Sequence, residues 1–391
     1  MTNADGPVPR LRFPEFRDAG PWEVKRLGEV ADCYQPETIS VPSTSEGGKF
    51  PVFGANGIIG YFDRYNHEES EIIIGCRGQC GNVLLTLPKS WINGNSMVIK
   101  PLRAKYIDKN FLFHQIYSSN LDYLITGSAQ PQITSEIKRH PVFLPSQAEQ
   151  DKIAHCLSSL DDLIRAEGER LEALKAHKRG LMQQLFPRPG ETTPRLRFPE
   201  FHDAGPWEVK RLGDEETADF VRDRIAPEDI PLGHYVSTIN LLSDFNGLAK
   251  RPETPPSGSA IAYRAGDILM SNIRPYLRKI WVADRSGGAS NDVIVARPGK
   301  KIVPAFLGHF LMSDRFISYI MDGAKGLKMP RGDLEQIQGF DVPRPSRLEQ
   351  QKIADCLTSL DDLIRAEGER LEALKAHKRG LMQQLFPQSA A

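Results

Sequence analysis

Residues 163–186 read LIRAEGERLEALKAHKRGLMQQLF, and residues 363–386 repeat them without a change. The identity is wider than this stretch. Residues 152–187 and 352–387 differ only at 155/355 and 158/358. A second block, PRLRFPEFRDAGPWEVKRLG at 9–28, returns at 194–213 with one difference in twenty. Two bodies lie between, at 29–147 and 214–347. They share little beyond GNSMVIKP against SNDVIVARP and SQAEQDKIA against RLEQQKIA. A repeat of this scale dictates architecture: lead-in block, body and helix, twice over. Two segments stay near-identical while two diverge, with sharp boundaries. Identical surfaces should do one job twice and meet the same partner twice; the alternative is a recent duplication whose bodies vary faster. Unlike bodies do related but different jobs.

The repeated helix carries a heptad seam. Apolar residues fall at Ile153, Leu157, Leu160, Ile164, Leu171, Leu174, Leu181 and Leu185, in a strict alternation of four and three. Two slots break it, Glu167 and Lys178. The second copy repeats the pattern through Leu357, Leu360, Ile364, Glu367, Leu371, Leu374, Lys378 and Leu381. Parallel, in-register pairing would bury Glu167 against Glu367 and Lys178 against Lys378, which is costly. The seam therefore predicts antiparallel packing, with Glu167 crossing to Lys378 and Lys178 to Glu367; the alternative is that these charges snorkel from the seam edge. Each helix would be about 54 Å long at ~1.5 Å per residue. Such a pair would carry two bodies like grippers on a bar. That suits duplex DNA, a long ligand with a nearly two-fold backbone, read at half-sites ~34 Å apart.

The bodies read as β-rich. EIIIG, GNVLLTL and SMVIKP in the first, with AIAYRAGDILMS, KIWVAD and DVIVARP in the second, are short β-branched runs cut by Gly, Asn and Pro. One helical stretch follows in each, near 108–125 and 304–321. The fold class expected is α+β with an internal pseudo-two-fold repeat. The expected divisions are 1–149, helix 150–187, 188–349, and helix with tail 350–391. Charge is balanced, 50 basic against 50 acidic residues, so attraction to nucleic acid must be local. The first body has 10 basic and 12 acidic residues over 29–150, and the second has 18 of each over 214–350. Five cysteines suit a reduced cytoplasm. Cys76 and Cys80 have no second pair to complete a zinc site. No apolar run is long enough to span a bilayer.

The doubled arrangement resembles the specificity subunit of Type I restriction–modification systems, over essentially the whole chain. The features that carry the likeness are the opening PWEVKRLGE, the first body with FGANGIIGYFD and GCRGQCGNV, and the lead-ins AEQDKIA and LEQQKIA to the long helices. In the second half, GDILMSNIRPYLRKIWVA is similar to the family's other common body type. The resemblance implies two target-recognition domains separated by two antiparallel helices, each domain reading one half of a split, asymmetric site in double-stranded DNA. It implies helices that set the spacer and dock two methyltransferase (modification) subunits, with restriction/translocase subunits joining for cleavage. It also implies no catalysis by this chain; S-adenosylmethionine, ATP and Mg would belong to the partners.

The residues agree on the missing chemistry. No Asp- or Asn-Pro-Pro-aromatic run, no G-x-x-x-x-G-K-[ST] loop, no H-E-x-x-H and no G-x-S-x-G occurs. No metal site is expected. Candidate DNA contacts lie in loops. In the second body, NIRPYLRK supplies Asn272, Arg274, Tyr276, Arg278 and Lys279, and DGAKGLKMPRGD supplies Lys325, Lys328 and Arg331. Arginine can grip guanine and asparagine adenine by paired hydrogen bonds, although a solvated basic loop would look the same. In the first body the candidates are Arg77, Gln79 and Asn82 in GCRGQCGN, and Gln130 and Gln132 in TGSAQPQITSE. The rival reading is a coiled-coil assembly adaptor, or a regulator that binds a methyltransferase without directing it to DNA. The absence of net positive charge favours it.

Overall fold

The computed structural model describes residues 6–39, 47–102, 107–249, 255, 258–324, 326 and 330–387. The chain divides into two compact units, Met1–Glu169 with Glu369–Ala391 (unit 1) and Arg170–Gly368 (unit 2). Its helices are α1 (Leu27–Val30), α2 (Lys109–Ser118), α3 (Gln147–Leu185), α4 (Pro304–Leu311), α5 (Asp314–Asp322), α6 (Leu334–Gln338) and α7 (Arg347–Leu385). The fold is α+β, and each unit owns half of α3 and half of α7. Among the described residues no helix is long and apolar enough to cross a membrane.

The two bodies share a plan. In unit 1 an antiparallel sheet runs Ala31–Tyr34, Ser96–Pro101, Ile72–Gly75, Val83–Leu85. In unit 2 the matching sheet runs Ala218–Phe220, Val293–Pro298, Ile268–Ser271, Ile280–Val282. A second sheet, of three strands in unit 1 and four in unit 2, accompanies each and includes one parallel pair. The lead-in strands Glu23–Arg26 and Glu208–Arg211 pair antiparallel with Pro141–Leu144 and Asp341–Arg344, just ahead of the long helices. Central strands such as Ile72–Gly75 are buried on both faces, so they read as unbroken apolar runs. The predicted single helix at 304–321 is two helices. Ser313 interrupts it by capping α5, its hydroxyl accepting from Phe316 N. Likewise α2 stops at Ser118, short of the predicted 125.

The long helices start earlier than the seam suggested because Ser146 and Ser346 cap them. Both caps open an S-x-x-E signature, but here the glutamate has another use. Glu149 accepts two hydrogen bonds from Arg12 at 2.6 and 2.7 Å, and Glu349 two from Arg197 at 2.7 and 2.8 Å. These buried forks fasten the lead-in block of each unit to its helix. At the other helix ends, Phe386 packs with Trp22 and Phe111 in unit 1. Phe186 does the same with Phe306, itself against Trp207, in unit 2.

The helices are antiparallel within each unit. In unit 1 Asp161 pairs with Lys378 and Glu167 with Arg370. In unit 2 Lys178 pairs with Asp361 at 2.5 Å and Arg170 with Glu367 at 3.1 Å. The direction is the one the seam predicts, but the expected pairs Glu167–Lys378 and Lys178–Glu367 do not form. The helices slide by about one heptad, which keeps seam against seam. Leu185 and its repeat Leu385 leave the seam for the body cores, beside Met182 and Phe186 in one and Met382 and Phe386 in the other. Burying those side chains outweighs the crossed ion pairs, and flanking acids and arginines take up the charges. Of the seam positions, Leu157, Leu357, Leu171 and Leu371 are buried. Leu160, Ile164, Leu174, Leu181 and their repeats Leu360, Ile364, Leu374, Leu381 are half-buried.

A polar knot joins each body helix to the helix pair. His114 faces Ser158 and Asp161 with Lys378 nearby, and His309 faces Thr358 and Asp361 with Lys178 nearby. Burial, then the lysine, pushes both imidazoles down to about 3. Burial alone pushes His140 to about 4.

Two outcomes follow from these contacts. Arg197→Ala should strand buried Glu349 and lower the stability of unit 2 by ~3–5 kcal/mol, read from denaturant unfolding. The histidine pKa values lie below the ordinary ~6.5, so the unfolded chain binds more protons below that pH. Stability should therefore fall as pH drops from 6.5 towards 4, by ~1.4 kcal/mol per pH unit for each buried histidine. His309→Gln should flatten that slope by one histidine's share in pH-resolved melts.

Candidate nucleic-acid interface

In unit 1 the strand Ile72–Gly75 runs into a tight loop. Gly75 N donates to Asn82 O at 2.8 Å, and Cys76 N to Asn95 O at 2.9 Å. A Cβ on Gly75 would lie 2.4 Å from Gln79 O and 2.7 Å from Ala55 O, so only glycine allows this closure. Arg77 then forms a β-bridge with Gln132, and Ile133 N donates to Cys76 O at 3.0 Å. Asn82 Nδ2 donates to Asn56 Oδ1 at 3.0 Å. Candidates some 50 residues apart in sequence thus share one loop cluster. Arg77, Gln79, Gln130 and Gln132 are exposed there and Asn82 is half-buried. Cys76 is buried, with Gln35 donating to its Sγ at 2.9 Å, and burial raises its thiol pKa.

Unit 2 builds the same loop from other residues. Ser271 N donates to Lys279 O, Asn272 N to Asp292 O, and Ile273 bridges Arg331. Arg331 pairs with Asp292 at 3.2 Å. Arg274 and Tyr276 face solvent, Tyr276 being 48% exposed. Asn272 is half-buried. Arg278 turns inward to Asp314 and lies 5.0 Å over the Phe245 ring. Lys279 donates to Thr238 O at 2.7 Å, and burial, then Arg274, lowers its pKa. Both side chains are tied within unit 2, Arg278 to Asp314 and Lys279 to Thr238. Lys325 and Lys328 lie outside the described residues.

The unit 2 loop is strained. Arg274 and Arg278 both adopt left-handed backbone, φ 52° and 57°, on either side of the turn Pro275–Leu277. Asp244 and Phe245, also left-handed, are tied to it through Leu277 O and Arg278 O. Four of the five left-handed non-glycine residues described meet here. Such strain costs ~1–3 kcal/mol per residue and gathers at functional sites. Sequence reading missed the carbonyls of Asn95 and Asp292, which fix both loops; the shared skeleton GNSMVIKP/SNDVIVARP was their only signal.

The family described as the Type I restriction modification DNA specificity domain matches residues 20–176 and 262–376. The chain belongs to that family. The Type I restriction enzyme MjaVIII specificity subunit of Methanocaldococcus jannaschii is 24% identical, over 96% of this chain and 93% of its own. The EcoDI specificity subunit of Escherichia coli is 23% identical over 85% and 79%. The solved S subunit of M. genitalium shares the fold at TM-score 0.66 and 18% identity, covering 98% of this chain and all of its own. A chain solved to explain complex assembly and conformational transition in a type I system matches at TM-score 0.52 and 18% identity, over 97% and 99%. Specificity subunits recognise the DNA target and are not themselves catalytic. The loop clusters hold exposed Arg77, Gln79, Gln132, Arg274 and Arg331 on backbone fixed by hydrogen bonds.

Arg274→Gly should relieve the left-handed strain and stabilise unit 2 by ~1 kcal/mol. Thermal unfolding of the variant would show a raised midpoint; a lowered one would mean that the guanidinium packs.

Proposed function

We propose that the chain reads a bipartite, asymmetric duplex site, with the Arg77–Gln132 cluster reading one half and the Arg274–Arg331 cluster the other. The observation that carries this reading is the loop plan itself. One backbone arrangement is built twice from unlike exposed side chains, Arg77, Gln79, Gln130 and Gln132 against Arg274, Tyr276 and Arg331. Direct readout needs donors at base edges, held on a rigid frame. Arg278, Lys279, Asn82 and Asn272 position these loops, and Lys325 and Lys328 belong to the same proposed set. The faces of α3 and α7 that point away from their seams carry the same residues twice, exposed His177 and His377 among them. They offer one kind of partner two equal seats. That partner is the methyltransferase subunit, through which restriction/translocase subunits join; S-adenosylmethionine, ATP and Mg act there. The spacer between the half-sites is set by the helices.

The test is modified-base mapping of DNA methylated by the assembled complex. Arg77→Ala with Gln132→Ala should relax one half of the motif, and Arg274→Ala with Tyr276→Phe the other, each base-edge contact being worth ~1–3 kcal/mol of discrimination. Equal weakening of both halves by either pair would refute the assignment. Binding of methyltransferase with no sequence preference at all would favour the adaptor reading.

A further inference from the structure

Unit 2 contains a cavity of about 610 Å³ beside the recognition loop, which contributes only Arg278 to its wall. Its wall is the end of α3, the segment that follows to Arg195, and the junction of α4 with α5. Five arginines line it against a single carboxylate, Asp314, which Arg278 already holds. That leaves Arg179, Arg188, Arg195 and Arg315, none of which has a carboxylate within ion-pair distance among the described residues.

Arg315 carries the argument. Its guanidinium lies 5.6 Å from the Phe310 ring centre and 5.5 Å from that of Phe340, and donates to Pro187 O at 3.4 Å. The two rings pack on each other, 5.7 Å apart, and the half-buried guanidinium lies against both; burial lowers its pKa and the charge of Asp341 partly opposes this. Stacking and one carbonyl offset only part of the cost of burial. Asp341 acts on it through space but not within ion-pair distance, so the guanidinium keeps its donors for an anion.

Unit 1 serves as an internal control. His114 and His309 occupy the same point of their helices, against Ser158 and Thr358. Counting on six residues from each gives Asn120 in unit 1 and Arg315 in unit 2. The repeats supply Arg10 and Arg379 as counterparts of Arg195 and Arg179, but Gln388 stands at the place of Arg188 and no arginine matches Arg315. The full set of cations is therefore particular to unit 2.

We propose that this cavity binds a phosphate ester of mononucleotide size. Guanidinium forks match phosphate oxygens bidentately. Met182, Phe186 and Phe310 give the cavity an apolar wall for the organic part, and its volume lies within the usual ~300–1,000 Å³ of ligand pockets. The phosphate has two possible sources, a free nucleotide or the backbone of a nucleic-acid strand.

Calorimetric titration of the full chain with adenosine monophosphate should show saturable binding, with adenosine and succinate each at least ~10-fold weaker. Arg188→Ala/Arg195→Ala, both at exposed positions, should weaken the nucleotide ~10-fold, and Arg315→Gln should do so if it folds. This arm does not depend on the DNA reading. If the nucleotide binds poorly but the double variant lowers the log–log salt slope of DNA binding by ~1–2 with the recognised sequence unchanged, the phosphate is that of a strand and the site stands. The proposal fails if the double variant changes neither measurement, or if succinate binds as tightly as the nucleotide.

Discussion

The structure depends on where the last turn of each long helix buries its apolar residues. Phe386, Leu385 and Met382 complete the core of unit 1 around Trp22 and Phe111. Phe186, Leu185 and Met182 complete the core of unit 2 around Trp207 and Phe306. Neither body has a finished core without a helix end from the other half of the sequence. Each side chain so buried contributes ~1.5–3 kcal/mol, more than a surface ion pair at ~0–1 kcal/mol. This inequality sets the helix register. It also explains why the lead-in blocks and helices are near-identical, since each pair forms the same interface.

With that frame held constant, the loops are free to differ. Gly75–Asn82 and Ser271–Lys279 close the same turn by the same backbone bond, and Asn95 and Asp292 present the same carbonyl. Backbone hydrogen bonds place the loop while the exposed side chains differ. One half therefore offers amides and an arginine, and the other an arginine, a tyrosine and a second arginine, without a change in plan.

Net charge hides a division of labour among the arginines. Arg12, Arg197 and Arg297 are spent on buried or half-buried carboxylates and hold the fold. Arg278 clamps a strained loop. Arg77 and Arg274 remain exposed. Counting basic residues cannot separate these classes, because an arginine's role depends on which acid lies within reach, and those acids are often more than a hundred residues away.

The doubled order of segments, the β-rich bodies, the helix pair and its antiparallel sense were legible in sequence. They follow from identity between repeats, from heptad spacing and from the cost of opposing like charges, all of which are local or comparative. Tertiary structure alone decided the one-heptad slide, the buried histidine knots and the split of α4 from α5. It also decided which basic side chains stay free: the sequence grouped Arg278 with Arg274, and only the fold brought Asp314 and Phe245 to Arg278. The reason is that long-range packing adjudicates between local options of similar energy, and a linear pattern does not contain the partners that settle the choice.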